Sequence, residues 1–370
     1  MAFSCVAKIN LKRNYILPLM TSKINTTTIA IDAMGGDHGP NVTVPAAVKF
    51  LNSAASGAHH IILVGNSALI SSLIQEHNAD SLLRAGSLSI QQASEVVEMD
   101  ESPALALKRK KDSSMRVAIN LVKQGTAQAA VSAGNTGALM ATAKFVLKTI
   151  AGVDRPAIIS TMPCRDMSQT VHMLDLGANV DSSPEMLVQF AVMGSVLTEY
   201  VDGKPSPRVG LLNVGAEEIK GSEKVKKASA LIGDSTLNYV GYVEGDELFS
   251  GAVDVIVCDG FEGNVALKAS EGTAKMILSV LSEEFKRNVF TKALGALCMP
   301  IFKAMQARLD PRLHNGASLI GLNGIVVKSH GGTDELGFLH AIQEANRQAE
   351  LDVIGHISKE ISTVFSSLKQ

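Results

Sequence analysis

The chain has 370 residues, of which 46% are hydrophobic, 4% aromatic and none tryptophan, with a formal net charge of −2. That balance excludes a general nucleic-acid binder, whose phosphate contacts demand a basic excess, and no apolar run approaches the roughly 18–20 residues that span a bilayer. Cys5, Cys164, Cys258 and Cys298 lie far apart without metal-ligand spacing, which reads as reduced thiols in a cytoplasmic protein.

Residues 1–27 carry Lys8, Lys12, Arg13 and Lys23 and no Asp or Glu. They are expected to be an extension outside the fold, disordered or upstream of a start at Met20. A targeting peptide, equally acid-poor, is the alternative. From Thr28 onward the pattern is strand, glycine-containing turn, helix. Thr28–Asp32 predicts a strand, Asn41–Leu51 a helix, His60–Val64 a strand and Ser67–His77 a helix. Ser102 and Pro103 open a helix running into Lys108, Arg109, Lys110 and Lys111, which is either a solvated face or a seat for an acidic partner. Met115–Lys123 reads as a helix, Ala127–Ser132 as a strand and Gly137–Lys148 as a helix.

Strands follow at Ala157–Thr161 and Thr170–Leu174, then a helix over Pro184–Val201. Arg208–Asn213 and Val253–Cys258 are strands with the helix Ser222–Gly233 between them, and Gly324–Lys328 is the last strand. Gly263–Leu309 breaks the rhythm as one helical stretch interrupted by Gly295 and Pro300. Proline ends or kinks a helix, so a helical hairpin projecting from the sheet is predicted. Residues 28–370 therefore read as a single α/β unit of two intertwined lobes on a doubly wound sheet, with ligands at the carboxyl ends of the strands.

No two glycines are separated by a single residue, so the dinucleotide fingerprint is absent, as are the P-loop, HExxH and GxSxG patterns. No cofactor and no metal is expected. The chemistry must come from the turns. Ser132, Ala133, Gly134, Asn135, Thr136 and Gly137 join a strand to a helix, aiming free N–H groups and a positive helix end at an anion such as phosphate; the plain alternative is a tight turn with a cap. Gly35 and Gly36 let backbone approach a ligand beside Asp37 and His38, which offer acid–base groups, although Asp37 would equally serve as a cap. His330, next to Gly331 and Gly332, is the best single candidate for an acid–base or oxyanion role. Asp259 and Asn264 orient a substrate or serve the turn, and Lys220 is either a phosphate contact or a solvated loop lysine. Cys258 ends an apolar run and reads as an inert buried thiol rather than a nucleophile. Across Thr291–Leu309, the bulky Leu294, Leu297, Ile301 and Phe302 alternate with Lys292, Lys303 and Arg308, and no acid intervenes. That composition suits an interfacial helix on anionic lipid, a dimer seam, or both.

Taken together, Asp32–Pro40 (DAMGGDHGP), Ser132–Ala141 (SAGNTGALMA), Leu174–Asn179 (LDLGAN), Gly210–Gly221 (GLLNVGAEEIKG), Val253–Gly272 (VDVIVCDGFEGNVALKASEG) and Gly316–Gly331 (GASLIGLNGIVVKSHG) resemble the phosphate acyltransferase family of the PlsX type. The stretches lie in register over Thr28 to about Ala349. Gly39 stands where the family commonly has Ala, and Gly332–Asp334 departs from its more usual Ser-Ala-Asp-like sequence. The resemblance implies a three-layer α/β/α fold similar to isocitrate dehydrogenases and phosphotransacetylases, a homodimer, and peripheral membrane association. It also implies that long-chain acyl carrier protein and orthophosphate are the substrates, and that the acyl phosphate passes to a membrane glycerol-3-phosphate acyltransferase. Carrier protein is acidic, so Lys292, Lys303, Arg308 and Arg312 are the expected docking patch. Exchanging a thioester for an acyl phosphate needs neither ATP nor a triad, only the positioning of two anions and an oxyanion site. Phosphate is accordingly expected on Ser132–Gly137, with Asn135 and Thr136 as donors and His330, then His38, at the carbonyl.

Overall fold

The computed structural model describes residues 26–53, 59–166, 168–308 and 310–367. Most of the expected 1–27 extension lies outside the described residues. The first lobe contains β1 (Thr27–Asp32), α1 (Pro40–Ser53), β2 (His59–Gly65), α2 (Ser67–Glu76), α3 (Asp80–Arg84), β3 (Leu88–Gln92), α4 (Pro103–Arg109), α5 (Ser114–Lys123), β4 (Ala129–Ser132) and α6 (Thr136–Leu147). The second contains β5 (Ala157–Met162), β6 (Val171–Leu174), α7 (Pro184–Asp202), β7 (Val209–Leu212), α8 (Glu223–Gly233), β8 (Tyr239–Val243) and β9 (Val255–Val257). The hairpin α9 (Gly260–Lys286) and α10 (Val289–Arg308) follows. The chain then returns to the first lobe through β10 (Ala317–Ile320), β11 (Ile325–Lys328) and α11 (Glu335–Glu350), and ends in α12 (Val353–Ser367).

All the strands form one sheet in the order β3-β2-β1-β4-β11-β10-β5-β6-β9-β7-β8. The strands from β3 to β11 are mutually parallel, as are β6, β9, β7 and β8. Antiparallel pairing of β10 with β11 and β5, and of β5 with β6, reverses direction between the two sets. The carboxyl ends of β3, β2, β1, β4, β11 and β5 therefore open at one edge of the sheet and those of β10, β6, β9, β7 and β8 at the other.

Period-two alternation explains the layering. Ile29 and Ile31 pack with α1, α2 and α11, whereas Ala30 faces Ile119 and Leu139 on the opposite side. In the second lobe Phe190, Val192 and Leu197 of α7 bury against Val209 and Val255, with Ile357 and Ile361 of α12 behind them. Each such Leu, Ile or Phe contributes about 1.5–3 kcal/mol on full burial. Helix starts are fixed by side-chain caps: Asn66 accepts from Leu69 N–H, Ser113 from Arg116, Ser183 from Met186 and Ser222 from Val225.

Several elements differ from the sequence reading. Short strands β3, β8 and β10 carry little alternation, and β3 and β8 lie at the sheet edges where polar residues are tolerated. Helices α11 and α12 were not foreseen; their apolar residues bury against both lobes. Pro300 does not end the helix: it lies within α10, exposed, where it removes one ladder bond while Gly295 packs against the Phe285 ring and Phe302 meets Phe285 edge-on at 4.7 Å. Asp259 rather than Gly263 sets the start of α9, accepting from Phe261 N–H at 3.0 Å.

Candidate active site

Three turns interlock at the carboxyl edge of the first lobe. Residues after β1 reach residues after β11 through Asp37 N–H, which donates to Gly331 O at 2.9 Å. Residues after β11 reach β4 through Ser329 N–H, which donates to Ser132 O at 2.9 Å. The contact leaves no room for side chains. A Cβ on Gly35 would lie 2.9 Å from Gly134 N. Gly36, at φ +92°, would bring one within 2.8 Å of Ala133 Cβ and 3.0 Å of Gly331 O, so that position requires glycine on both counts.

The start of α6 presents free main-chain donors at this edge. Thr136 and Gly137 are exposed, and their N–H groups have no acceptor among the described residues. Two free N–H groups at the positive end of a helix suit a phosphate oxygen. Of the side chains expected as donors, Thr136 is exposed and makes no bond among the described residues, whereas Asn135 and Ser132 are committed elsewhere. Asn135 Oδ1 caps the helix through Ala138 N–H at 2.9 Å, and its Nδ2 donates to Met99 O at 2.7 Å and Glu101 O at 3.1 Å. Ser132 Oγ donates to Asp32 Oδ2 at 2.6 Å and accepts from Gly134 N–H at 3.0 Å. Asn135 and Ser132 are therefore positioning residues, which corrects the expectation that Asn135 donates to the anion.

His330 is exposed. Its Nδ1 accepts from Gly332 N–H at 3.3 Å, and its own N–H donates to Asn315 Oδ1 at 3.0 Å. In the neutral ring that bond favours the tautomer with its proton on Nε2. Asp37 and His38 are exposed on the neighbouring turn, and a Cβ on Gly332 would lie 3.1 Å from Asp37 Oδ2.

Beneath the turns lie two charged residues to which the sequence reading gave no role, Asp32 and Lys328. Asp32 is 1% exposed and its Oδ1 has no hydrogen-bond partner. Burial raises its pKa against the opposing hydroxyls of Ser114 and Ser132. Lys328 is 8% exposed and pairs in register with Ser132. The available signal was a charged residue ending an otherwise apolar strand, once in β1 and once in β11.

The remaining expected site residues lie elsewhere. Asp259, Asn264 and Lys220 follow β9 and β7, whose carboxyl ends lie at the opposite edge of the sheet. Asp259 is buried and accepts from Ser182 N–H at 2.6 Å and Lys224 Nζ at 2.9 Å. Burial pushes its pKa up, but Phe261 N–H and the Lys224 ammonium outweigh that and hold it below its ordinary value. Asn264 packs beside Gly177, and Lys220 is exposed on the loop after β7. Arg312 is occupied: it pairs with Asp334 at 2.6 Å and with Asp310, which keeps its pKa high and removes it from the free docking patch. Lys292 and Lys303 are exposed on α10, whereas the Arg308 side chain lies outside the described residues. Leu294, Leu297 and Ile301 are 55%, 79% and 70% exposed, so the hairpin presents an uncovered apolar surface. Among the described residues, no helix is long and apolar enough to cross a membrane.

Comparison with known proteins shows the family of the chain. Residues 27–356 match the family described as "Fatty acid synthesis protein". The "Phosphate acyltransferase" of Legionella pneumophila strain Paris is 54% identical over 336 residues, covering 90% of this chain and 96% of its own. That of Nitrosococcus oceani is 55% identical over 336 residues, covering 91% and 97%. In fold, the chain is similar to a phosphotransacetylase from Streptococcus pyogenes, with TM-score 0.59 and 17% identity over 88% of this chain and 94% of the other. A branched-chain phosphotransacylase from Enterococcus faecalis follows at TM-score 0.53 and 14% identity, over 88% and 99%. With nine-tenths of its length aligned at this identity, the chain is an acyltransferase and belongs to the phosphate acyltransferase family.

Proposed function

We propose that this enzyme transfers a long-chain acyl group from the thioester of acyl carrier protein to inorganic phosphate, giving acyl phosphate for phospholipid synthesis. The observation that carries the reading is the exposed start of α6, with its unpartnered Thr136 and Gly137 N–H groups, laced to the turn that presents His330. Phosphate held there attacks the thioester carbon directly. A C–O bond forms, the carbonyl becomes a tetrahedral oxyanion, and collapse breaks the C–S bond. His330 Nε2–H stabilises the oxyanion or protonates the departing thiolate, and His38 is the second candidate for that role. No ATP is needed, since both acyl groups are activated.

The test is phosphate-dependent release of thiol from palmitoyl-acyl carrier protein, with the acyl phosphate trapped as a hydroxamate. Turnover of acetyl-coenzyme A in place of the carrier protein would instead favour a short-chain phosphotransacetylase. A covalent route through Cys258 is disfavoured by its surroundings. The thiol is 3% exposed and donates to Asp175 O at 3.3 Å, and burial raises its pKa well above the ordinary value, with Asp175, Glu262 and Asp259 adding to the effect. Cys258→Ser is therefore expected to keep near-normal turnover in single-turnover and steady-state assays. A mutant that folds but is inactive, with an acyl-thioester trapped on the wild-type chain, would instead support the covalent route.

The uncovered hairpin supports a homodimer closed through α9 and α10, with remaining apolar residues and Lys292 and Lys303 set against anionic lipid. That placement delivers a labile product to a membrane glycerol-3-phosphate acyltransferase. The same lysines provide a docking surface for acidic carrier protein. The KM for acyl-carrier protein should then rise with ionic strength more steeply than the KM for phosphate. Equal slopes, or a flat response in Lys292→Glu and wild type alike, would remove the patch.

A further inference from the structure

We propose that Lys328 is the positioning residue that holds the phosphate turn and the His330 turn in register. This rests on the acyl-transfer reading above and deepens it. The Lys328 ammonium donates to Ala133 O at 3.3 Å and to Ser329 O. Ala133 O belongs to the peptide whose N–H is that of Gly134, one residue before the α6 cap. Ser329 O belongs to the peptide whose N–H is that of His330. One buried side chain thus grips the carbonyls just upstream of both reactive elements. The glycines at this point cannot do so, because they carry no side chain and meet their neighbours through the main chain, as in Asp37 N–H to Gly331 O.

The charged groups facing the ammonium are Asp32 at the end of β1 and Asp37 in the turn that follows. β4 offers only Ser132 and main-chain carbonyls, and the turn after β11 offers His330. Burial pushes the Lys328 pKa down to about 8, against the pull of Asp32 and then Asp37. The grip is therefore charge-assisted at neutral pH and weakens as the proton leaves. Stability has the opposite sign. Between about pH 8 and the ordinary lysine value of 10.5 the unfolded chain binds more protons at this lysine than the native one, so this residue's contribution makes unfolding harder as pH rises. Activity and stability should move apart over one pH interval, which general alkaline unfolding does not produce.

The experiment compares wild type, Lys328→Met and Lys328→Arg on the full chain. Wild-type kcat is expected to fall on an alkaline limb near pH 8 while the thermal midpoint does not fall with it. Lys328→Met should lose about 10–100-fold in kcat, as misplacement of reacting groups does, with KM for acyl-carrier protein unchanged and the limb gone. Lys328→Arg, which stays charged, should recover part of kcat and also lack the limb. Amide hydrogen exchange supplies a readout independent of turnover: in Lys328→Met, residues 132–137 and 329–333 should lose protection together. Wild-type kcat with the limb intact in Lys328→Met would overturn the proposal, and so would unchanged exchange in both turns. Should Lys328→Met not fold, the wild-type profile decides: no limb between pH 7 and 9.5 in a folded enzyme overturns it. Absence of phosphate-dependent thiol release in wild type would instead defeat the acyl-transfer reading and leave the exchange result to judge the grip.

Discussion

His330→Ala is expected to lower kcat by about 10²–10³-fold, the usual cost of one oxyanion donor, while leaving the protein folded. The imidazole is exposed and takes a single bond, from Gly332 N–H at 3.3 Å. Its removal opens no cavity. The turn itself is retained by His330 N–H on Asn315 Oδ1 and by Ser329 N–H on Ser132 O, neither of which involves the ring. Thermal stability should therefore stay within the roughly ±0.5 kcal/mol typical of surface changes, and KM for phosphate should barely move, because that ligand is assigned to the α6 N–H groups. Asn135→Ala supplies the contrast. It removes a helix cap, worth about 1 kcal/mol, and releases the carbonyls of Met99 and Glu101, so its loss of rate should come with a lower melting temperature. Steady-state kinetics beside thermal melts separate the two. A loss of less than tenfold in His330→Ala would remove the histidine from the chemistry and pass its role to His38.

The two mutants also mark how far the sequence was legible. Strand–turn–helix periodicity located the central strands and the turns at Gly35, Ser132 and His330, because buried parallel strands are apolar runs ending in glycine. It missed β3 and β8, where edge positions relax that pattern, and also β10. Residue types in the turns were also legible, but their roles were not. Asn135 suits donation to phosphate on paper. Which acceptor takes its amide depends on Met99 and Glu101, brought there by a loop that no local pattern specifies. Asp259 likewise reads as a substrate contact until strand direction is known. The reversal at β10 and β5 sends it to the other edge, and strand direction is a property of the whole sheet. Lys328 was hidden for the opposite reason: a lysine at a strand end is usually solvated, and only the stacking of three turns above it makes it buried.

The second large effect falls in Leu174–Asn179, the stretch that follows β6. Asp175 is fully buried and accepts four hydrogen bonds. Oδ1 takes Ile158 N–H at 2.9 Å and Ala178 N–H at 3.0 Å; Oδ2 takes Asn179 N–H at 2.7 Å and Asn179 Nδ2 at 2.9 Å. The first turn of α9 rests on the same residue, since a Cβ on Gly260 would lie 2.7 Å from Oδ2 and one on Gly263 would collide with Asp175 O. Asp175→Ala would strand several buried donors at about 1–3 kcal/mol each, so a loss of roughly 4–6 kcal/mol is expected, a large share of the 5–15 kcal/mol that holds a typical domain. Asp175→Asn keeps the shape and one accepting oxygen, but turns an amide N–H towards one pair of donors. Its loss should be smaller, about 2–3 kcal/mol. Denaturant titration measures both, and a wild-type midpoint for Asp175→Ala would refute the account. The folded fraction of Asp175→Asn should turn over normally, because this knot sits at the edge of the sheet opposite His330. A selective fall in kcat without a fall in stability would instead mean that the second lobe's edge takes part in the reaction, contributed across the dimer by the partner copy.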